Sequence, residues 1–145
     1  MDGREVMNRV GAIIEAHGTG LLATVDEEGN PHVRWLTPTL LRERPGAIYA
    51  ITAPRFAKVV QVRSHPRAEW MFQTPTLDEV ISIRGTINVV ETPSLRAEVL
   101  EVLGPRLNTF WKFARDARDL VVLETVAEEA TCLLPMIGRT DVVRF

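Results

Sequence analysis

The sequence predicts one mainly β domain with short helices (α+β), in which an antiparallel sheet curves into a closed barrel. Six to eight short apolar segments resemble strands, and only two or three segments have a helical period. Nine glycines and nine prolines are spread between these segments as turn residues. No repeat or linker divides residues 1–145, a length typical of one domain. We expect closure because it removes exposed sheet edges.

The composition is that of a globular protein and argues against several other classes. Hydrophobic residues make up 46% of the chain and charged residues 25%, which argues against disorder. A net charge of −2 offers no basic field for nucleic acid. A single cysteine, Cys132, and three dispersed histidines predict no metal site and a buried, inert thiol. The N-terminal segment is polar, and no apolar run approaches the length of a membrane helix, so we expect a cytoplasmic protein.

The N-terminal part predicts a helix followed by a three-stranded meander. Apolar residues at helical spacing predict a helix over residues 3–17, which Gly18 ends. Residues 18–23 match the GxGxxA dinucleotide fingerprint, but they follow a helix and open a strand, which favours a helix stop instead. Strands are predicted over 20–25, 32–41 and 47–52.

The remaining elements are predicted in the same way. Pro54 suits the first turn of a helix that ends before Pro66, and Ser94 suits the N-cap of a helix over 94–103. Gly85 is expected to relieve crowding in a bent strand. Strands are predicted over 67–73, 80–91, 120–127, 131–136 and 140–145.

Two segments carry the residues that suggest chemistry. The strand 32–41 places Arg34 among apolar residues, either as a surface or ion-paired residue or as an anion ligand. Farther along, the helix that begins at Pro54 carries Arg55 and Lys58 in its first turns. A helix start already has positive potential, so cations there favour an external anion such as a phosphate monoester. The alternative is a pair of solvated helix cations.

The order of these motifs resembles that of a known family. The segments GLLATVDEEGNPHVRWLTP, AIYAITAPRFAKVVQVRSHPRAEWMF and VISIRGTINVVE, after an N-terminal helix, are similar to the FMN-binding split-barrel family. That family includes pyridoxamine 5′-phosphate oxidase and related general stress proteins. The resemblance covers residues 5–91 well and residues 94–145 more loosely. It implies an antiparallel split β-barrel of the FMN-binding type that forms a homodimer with two flavin sites at the interface.

The resemblance also implies which residues hold the flavin phosphate. Arg34 would contribute its guanidinium and Lys58 its ammonium group. Family members commonly place serine and arginine just before that lysine, where this chain has Phe56 and Ala57. Arg55 is a candidate replacement from a neighbouring position.

Further residues are implied to contact the rest of the flavin. The backbone of Trp35, Leu36 and Thr37 would run along the flavin ring. Ile51 and Thr52 match the positions at a strand end that touch the flavin and its ribityl chain.

The resemblance implies an FMN-dependent oxidoreductase whose substrate and catalytic residues the sequence does not identify. Trp111 is a candidate to cover the partner's flavin edge, although its aromatic segment also suits packing against the barrel. Val80 replaces a glutamine of the oxidase proper, and that enzyme's C-terminal substrate signature is absent, so vitamin B6 oxidation is not expected. The alternatives are a non-catalytic flavin-binding or sensing module, or a related barrel that binds deazaflavin or heme. Heme would need an axial ligand, for which His32 and His65 are the candidates.

Overall fold

The computed structural model describes residues 1–53, 57–106 and 120–145. The predicted aromatic segment 110–113 and the predicted helix start at 54–56 lie outside these residues. The helices are α1 (Gly3–His17), α2 (Ala57–Ser64) and α3 (Pro93–Leu103). The strands are β1 (Gly20–Val25), β2 (Pro31–Leu36), β3 (Ala47–Thr52), β4 (Arg67–Gln73), β5 (Val80–Val90), β6 (Val121–Leu134) and β7 (Arg139–Arg144).

Helix α1 begins and ends as its sequence predicts. The Asp2 carboxylate accepts a hydrogen bond from the Glu5 backbone N–H at 2.9 Å, and the Asp2 N–H donates to Glu5 Oε2 at 3.2 Å. This capping box satisfies two backbone donors at the helix start. Gly18 has a φ of 75°, the left-handed conformation that ends many helices. The GxGxxA match is therefore confirmed as a helix stop.

The strands form one antiparallel sheet that is not closed. Its order is β2-β1-β4-β5-β6-β3, and β7 pairs with β6 outside this path. The prediction of a closed barrel is therefore wrong, although the fold is that of a split barrel. The predicted strand 32–41 is only six residues long as β2, and beyond it only the isolated bridge between Thr39 and Tyr49 reaches β3. Pro38 lacks the N–H that a continuing ladder needs.

Strand β6 is one element of 14 residues, where two strands were predicted. Both of its halves pair with β5, and a bulge between Arg84 and Gly85 shifts the register. A Cβ on Gly85 would lie 2.0 Å from the carbonyl oxygen of Val126, so the backbones approach too closely for any side chain. The expected role of Gly85 is confirmed. Glu128 and Glu129 lie between the two predicted strands. Glu129 pairs with both β5 and β7, and Glu128 is the extra residue of the bulge, so the strand continues through both.

The predicted N-cap of α3 is also wrong. The cap is Thr92, and Pro93 opens the helix, so Ser94 lies inside its first turn. Proline is favoured at the first helical position because its fixed φ suits the helix and its missing N–H needs no partner there.

The core has two parts. The larger packs α1 against the inner face of the sheet, where Trp70 and Phe72 stack with their ring centroids 5.7 Å apart. The indole N–H of Trp70 donates to Thr125 Oγ1 at 2.9 Å, which satisfies a buried donor. The smaller part packs α3 against β3 and β6. Cys132 is buried as predicted, and burial raises the pKa of its thiol. Among the described residues, no helix is long and apolar enough to cross a membrane.

The close approach at Gly85 makes a testable prediction. We expect Gly85→Ala to lower the free energy of unfolding by about 1–3 kcal/mol, because the added methyl group forces the backbones of β5 and β6 apart. Urea denaturation followed by circular dichroism measures this change. The control is Gly104→Ala, since Gly104 has a helical φ of −44° and no atom within 4 Å of an added Cβ. Equal stability of the two variants would contradict the assignment.

Candidate functional site

Arg34 is held in a hydrogen-bond network that joins β2, β1 and α2. Its Nη1 donates to Thr24 Oγ1 at 2.7 Å and to the Leu22 carbonyl at 3.2 Å. Its Nη2 donates to Gln61 Oε1 at 2.9 Å. The Thr24 hydroxyl donates in turn to the same Gln61 oxygen at 2.6 Å. The guanidinium is thus fixed by one residue on the neighbouring strand and one on the helix above it.

All of these acceptors are neutral, so the charge of Arg34 is not balanced by them. Arg34 makes no ion pair with any residue that the structure describes. Its side chain is half-buried, and burial lowers its pKa from the ordinary value, yet a guanidinium stays protonated in proteins. The network therefore presents an uncompensated positive charge, which is unlike an ion-paired surface arginine.

Lys58 adds a second cation to the same place. It lies three residues before Gln61 on α2, so both side chains project from the same side of the helix. Lys58 is half-buried, and its pKa is lowered to about 8, first by burial and then by the positive charge of Arg34. Two cations that repel each other in a partly desolvated site favour an anion between them.

The other predicted residues lie on the two strands at the ends of the sheet. The bridge between Thr39 and Tyr49 brings the continuation of β2 next to β3. On the antiparallel register of that bridge, the position of Thr37 is opposite that of Ile51. The residues of β2 and β3 that were predicted to contact the flavin therefore lie on the two sides of the gap between these end strands.

Most of these residues present backbone groups, rather than side chains, to the gap. The Trp35 side chain is 66% exposed on the opposite face of β2 from Arg34, and Leu36 is half-buried. Ile51 packs into the smaller core. Because β1 is the only strand that pairs with β2 within the described part of the chain, every second N–H and C=O of β2 points away from the ladder. These groups are in place to hydrogen-bond a planar heterocycle.

Thr52 contributes an unsatisfied hydroxyl at the end of β3. Its side chain is completely buried, and its Oγ1 has no hydrogen-bond partner within the described ranges. Buried polar atoms are nearly always paired, so this unpaired oxygen is a candidate partner for a polar group at the end of β3.

Two predicted site residues, Arg55 and Trp111, lie outside the described residues. His32 shares the strand face of Arg34, as predicted, but it does not join the network. Its ring is exposed, and its Nε2 lies 2.7 Å from Asp26 Oδ2, which lowers the pKa of Asp26 to about 2.

The sequence interpretation missed Thr24 and Gln61. Thr24 is the second-last residue of β1, where it is paired in register with His32, and its side chain is buried. Gln61 is a buried polar residue between the apolar Val59 and Val62 of α2. A polar residue within an apolar helical face is the signal that identifies such a partner.

The cavities found among the described residues lie elsewhere. One of about 270 Å³ is enclosed by the β1–β2 turn and α2, and its lining includes Asp26, Glu27 and Glu28, which would repel an anion. A larger one lies near the start of α1. Arg34 and Lys58 line neither of these two cavities.

Comparison with known proteins assigns the family. A family model described as pyridoxamine 5′-phosphate oxidase matches residues 7–132. The chain belongs to this family. Its order of strands and helices is the split-barrel arrangement of the structural relatives. No curated protein matches the chain in sequence.

Three solved structures illustrate the range of this fold. A protein related to general stress protein 26 from Clostridium acetobutylicum is 12% identical, with a TM-score of 0.77, covering 100% of this chain and 97% of that one. An FMN-binding, pyridoxamine 5′-phosphate oxidase-related protein from Nostoc punctiforme is 15% identical, with a TM-score of 0.67 and coverage of 98% and 96%. A heme-binding protein from Mycobacterium smegmatis is 20% identical, with a TM-score of 0.73 and coverage of 96% and 57%. At these identities the likeness concerns the fold.

The environment of Lys58 makes a prediction that needs no ligand. The chain has only two lysines, Lys58 and Lys112, so ¹³C-labelled lysine gives two side-chain NMR signals that Lys112→Arg assigns. We expect Lys58 to titrate near pH 8 and Arg34→Gln to raise its pKa partway towards 10.5, because burial remains. The folded state disfavours the charged form, so the free energy of unfolding rises with pH between about 8 and 10.5.

The control for this titration is Arg84→Gln, since Arg84 pairs with Glu129 at 2.6 Å and is not part of the network. A Lys58 midpoint near 10.5 in the unsubstituted protein would show that the two cations do not converge.

Proposed function

We propose that this chain binds FMN in the gap between β2 and β3 and acts as an FMN-dependent oxidoreductase on a substrate still to be identified. The single observation that carries the proposal is the half-buried Arg34 guanidinium, which neutral acceptors fix beside Lys58. Because only neutral groups accept from this guanidinium, its charge favours an anionic ligand.

The phosphate of FMN would supply negative charge to the Arg34 guanidinium. A phosphate monoester carries close to two negative charges near neutral pH and has several acceptor oxygens for Arg34 and Lys58. Because Thr24 and Gln61 already hold the Arg34 side chain, little conformational entropy is lost when the phosphate binds. This preorganisation supports binding even though Ala57 stands at a position where the family commonly has a phosphate ligand.

The isoalloxazine ring suits the edge of β2. The outward backbone groups of Trp35, Leu36 and Thr37 can hydrogen-bond its polar edge, and the unpaired Thr52 hydroxyl can bond the ribityl chain or the ring. The residues present therefore fit the cofactor. FMN, when bound, supplies the hydride or electron transfer, and the protein binds it, orients it and limits water access.

The donor or acceptor is proposed only by class. A reduced nicotinamide is one candidate donor, and a small quinone is one candidate acceptor. Bound flavin that reduced nicotinamide bleaches without oxygen would support the oxidoreductase, whereas flavin that no such donor reduces would favour a binding or sensing module. Vitamin B6 oxidation is not proposed, because Val80, at the start of β5, is apolar where the oxidase proper has a glutamine.

Heme is the second candidate cofactor, because one structural relative is described as heme-binding. Histidine is one of the side chains that supply an axial ligand to heme iron. His32 is exposed and engaged by Asp26, and His65 lies just beyond the end of α2. Neither imidazole ring is part of the hydrogen-bond network of Arg34, so the local chemistry favours FMN. The visible spectrum of the purified protein separates flavin, deazaflavin and heme.

We also propose that a homodimer completes the site, as the family resemblance implies. Val33 and Trp35 are each 66% exposed on the outer face of β2, next to the partly exposed Leu21 and Met71 on the neighbouring strands. Such a contiguous apolar patch is typical of an interface. The patch lies on the strand that carries Arg34, on the face opposite that side chain, so a partner chain seated there packs against the strand whose free edge borders the gap.

The phosphate contacts are tested by FMN titration followed through flavin fluorescence. We expect Arg34→Ala and Lys58→Ala each to weaken binding by about 1.5–3 kcal/mol, or roughly 10- to 150-fold, because each removes a charge-assisted hydrogen bond. Affinity should also fall above about pH 8, as Lys58 loses its proton, but not in Lys58→Arg.

The matched control is Arg63→Ala, which removes an exposed arginine of the same helix that pairs with Glu91 at 3.2 Å. It should keep the FMN affinity within about twofold. Unchanged affinity in both site variants, with intact folding by circular dichroism, would refute the proposed phosphate site.

The dimer is tested by light scattering. We expect a mass close to twice the 16.3 kDa of one chain, and a shift towards the monomer in Trp35→Glu, because a buried carboxylate in an apolar interface is unfavourable. Met136→Glu is the control, since Met136 is 81% exposed on the turn between β6 and β7. A monomer at micromolar concentration, both with and without FMN, would rule out the shared site.

A further inference from the structure

A cavity of about 940 Å³ carries a concentration of arginines that the FMN site does not use. It lies where the first turn of α1, the connection from β2 to β3 and the end of β7 meet. Arg4, Arg42, Arg44 and Arg144 line it, with Asp2 as the one acidic lining residue. The Asp2 carboxylate accepts the Glu5 N–H of the α1 capping box, so part of its capacity is already used. We refer to this cavity as the arginine cleft.

The carboxylates near the cleft neutralise its charge only in part. Arg44 Nε is 3.8 Å from Glu98 Oε2, which is long for an ion pair. Arg144 Nε is 3.4 Å from Glu129 Oε2, while the other oxygen of Glu129 binds Arg84 at 2.6 Å. This carboxylate is thus shared between two guanidiniums.

The other two arginines are exposed and lie on different elements. Arg4 lies in the first turn of α1, and Arg42 follows the bridge that links the end strands. Neither makes an ion pair with a residue in the described ranges. Four guanidiniums from three parts of the chain therefore line one concave surface with a local excess of positive charge, although the whole chain has a net charge of −2.

The remaining lining is largely apolar. Met7, Leu40, Leu41 and Phe145 contribute to it. The Phe145 ring lies against Gly3, where an added Cβ would be 2.9 Å from its Cδ1, and the residue is 44% exposed. An apolar surface with guanidiniums around it matches a ligand that has an apolar body and an anionic group. The cavity volume lies within the range that small-molecule sites occupy, and a concave site of this kind suits a small ligand better than a polyanion.

The arginine cleft is separate from the proposed flavin site. Ala47, the first residue of β3, lines the cleft, whereas Thr52, its last residue, belongs to the gap beside Arg34. A six-residue strand separates these two positions by about 17 Å. A single phosphate group is therefore too small to contact both sites at once.

We propose that the arginine cleft is a second ligand site, which takes an organic phosphate monoester with an apolar body. A phosphate is favoured over a single carboxylate because its charge and its three free oxygens suit several guanidiniums at once. The site requires no chemistry at the flavin and does not depend on whether FMN binds.

The test is an NMR titration of ¹⁵N-labelled protein with phenyl phosphate, inorganic phosphate, benzoate and phenol. We expect phenyl phosphate to shift the backbone amide signals of Gly3, Arg4, Arg42 and Gly46 in a saturable way. Inorganic phosphate and benzoate should bind at least about tenfold more weakly, and phenol should not bind, because each lacks part of the recognised chemistry.

Variants separate the arginine cleft from the Arg34 site and from general charge effects. The double variant Arg4→Gln/Arg42→Gln should weaken phenyl phosphate binding by about tenfold or more. Arg139→Gln is the matched control, because Arg139 is an exposed arginine of β7 that pairs with Asp141 at 3.0 Å outside the cleft. Arg34→Ala should leave the shifts at Gly3 and Arg42 unchanged.

Several outcomes would overturn the proposal. They are shifts that do not saturate, shifts that Arg139→Gln reduces as much as the double variant does, and equal affinity for phenyl phosphate and inorganic phosphate. If benzoate bound more tightly than phenyl phosphate, the preferred ligand would be a carboxylate, and the proposal of a phosphate ester would be refuted. Because both substituted arginines are exposed, the fold should persist, and unchanged dispersion of the other amide signals checks this.

Discussion

The architecture depends on the way one long strand, β6, serves two parts of the sheet. Its first half lies between β3 and β5, and its second half lies between β5 and β7. The register shift at Gly85 makes this possible, because the backbones of β5 and β6 approach there more closely than any side chain permits. Strand β3 is thereby held at one end of the sheet with Thr52 at its tip. The gap beside β2 that forms the proposed flavin site follows from this arrangement.

Within that frame, the Arg34 network links local structure to binding. The Arg34 guanidinium is half-buried, and all of its hydrogen-bond acceptors are neutral. Desolvating such a charge costs free energy, and a salt bridge to a carboxylate would have offset part of that cost. The chain instead holds the charge in place through Thr24 and Gln61 and sets Lys58 beside it. The stability that a carboxylate would have given is thus left for a bound anion to provide. The pKa of Lys58 is lowered for the related reasons that the lysine is partly buried and lies near the positive charge of Arg34.

Charge segregation gives the molecule two surfaces of opposite character despite a small net charge. The turn between β1 and β2 presents Asp26, Glu27 and Glu28, whereas the arginine cleft presents four guanidiniums. Net charge and pI describe the field of the whole chain, so they do not reveal such local fields. The arginines of the cleft are far apart in the sequence and meet only because α1, the β2–β3 connection and β7 converge.

The sequence by itself determined most elements and the family. Helix α1, strands β1, β3 and β4 and the turn glycines follow from local rules of periodicity and backbone freedom, and Arg34 and Lys58 were found from residue type in context. Tertiary structure alone decided the length of β2, the continuity of β6 through Glu128 and Glu129, and the open rather than closed sheet. It also decided that Thr24 and Gln61 hold Arg34. The reason is physical: strand pairing and buried hydrogen bonds join residues distant in sequence, and their energies exceed the local propensities that a sequence pattern reports.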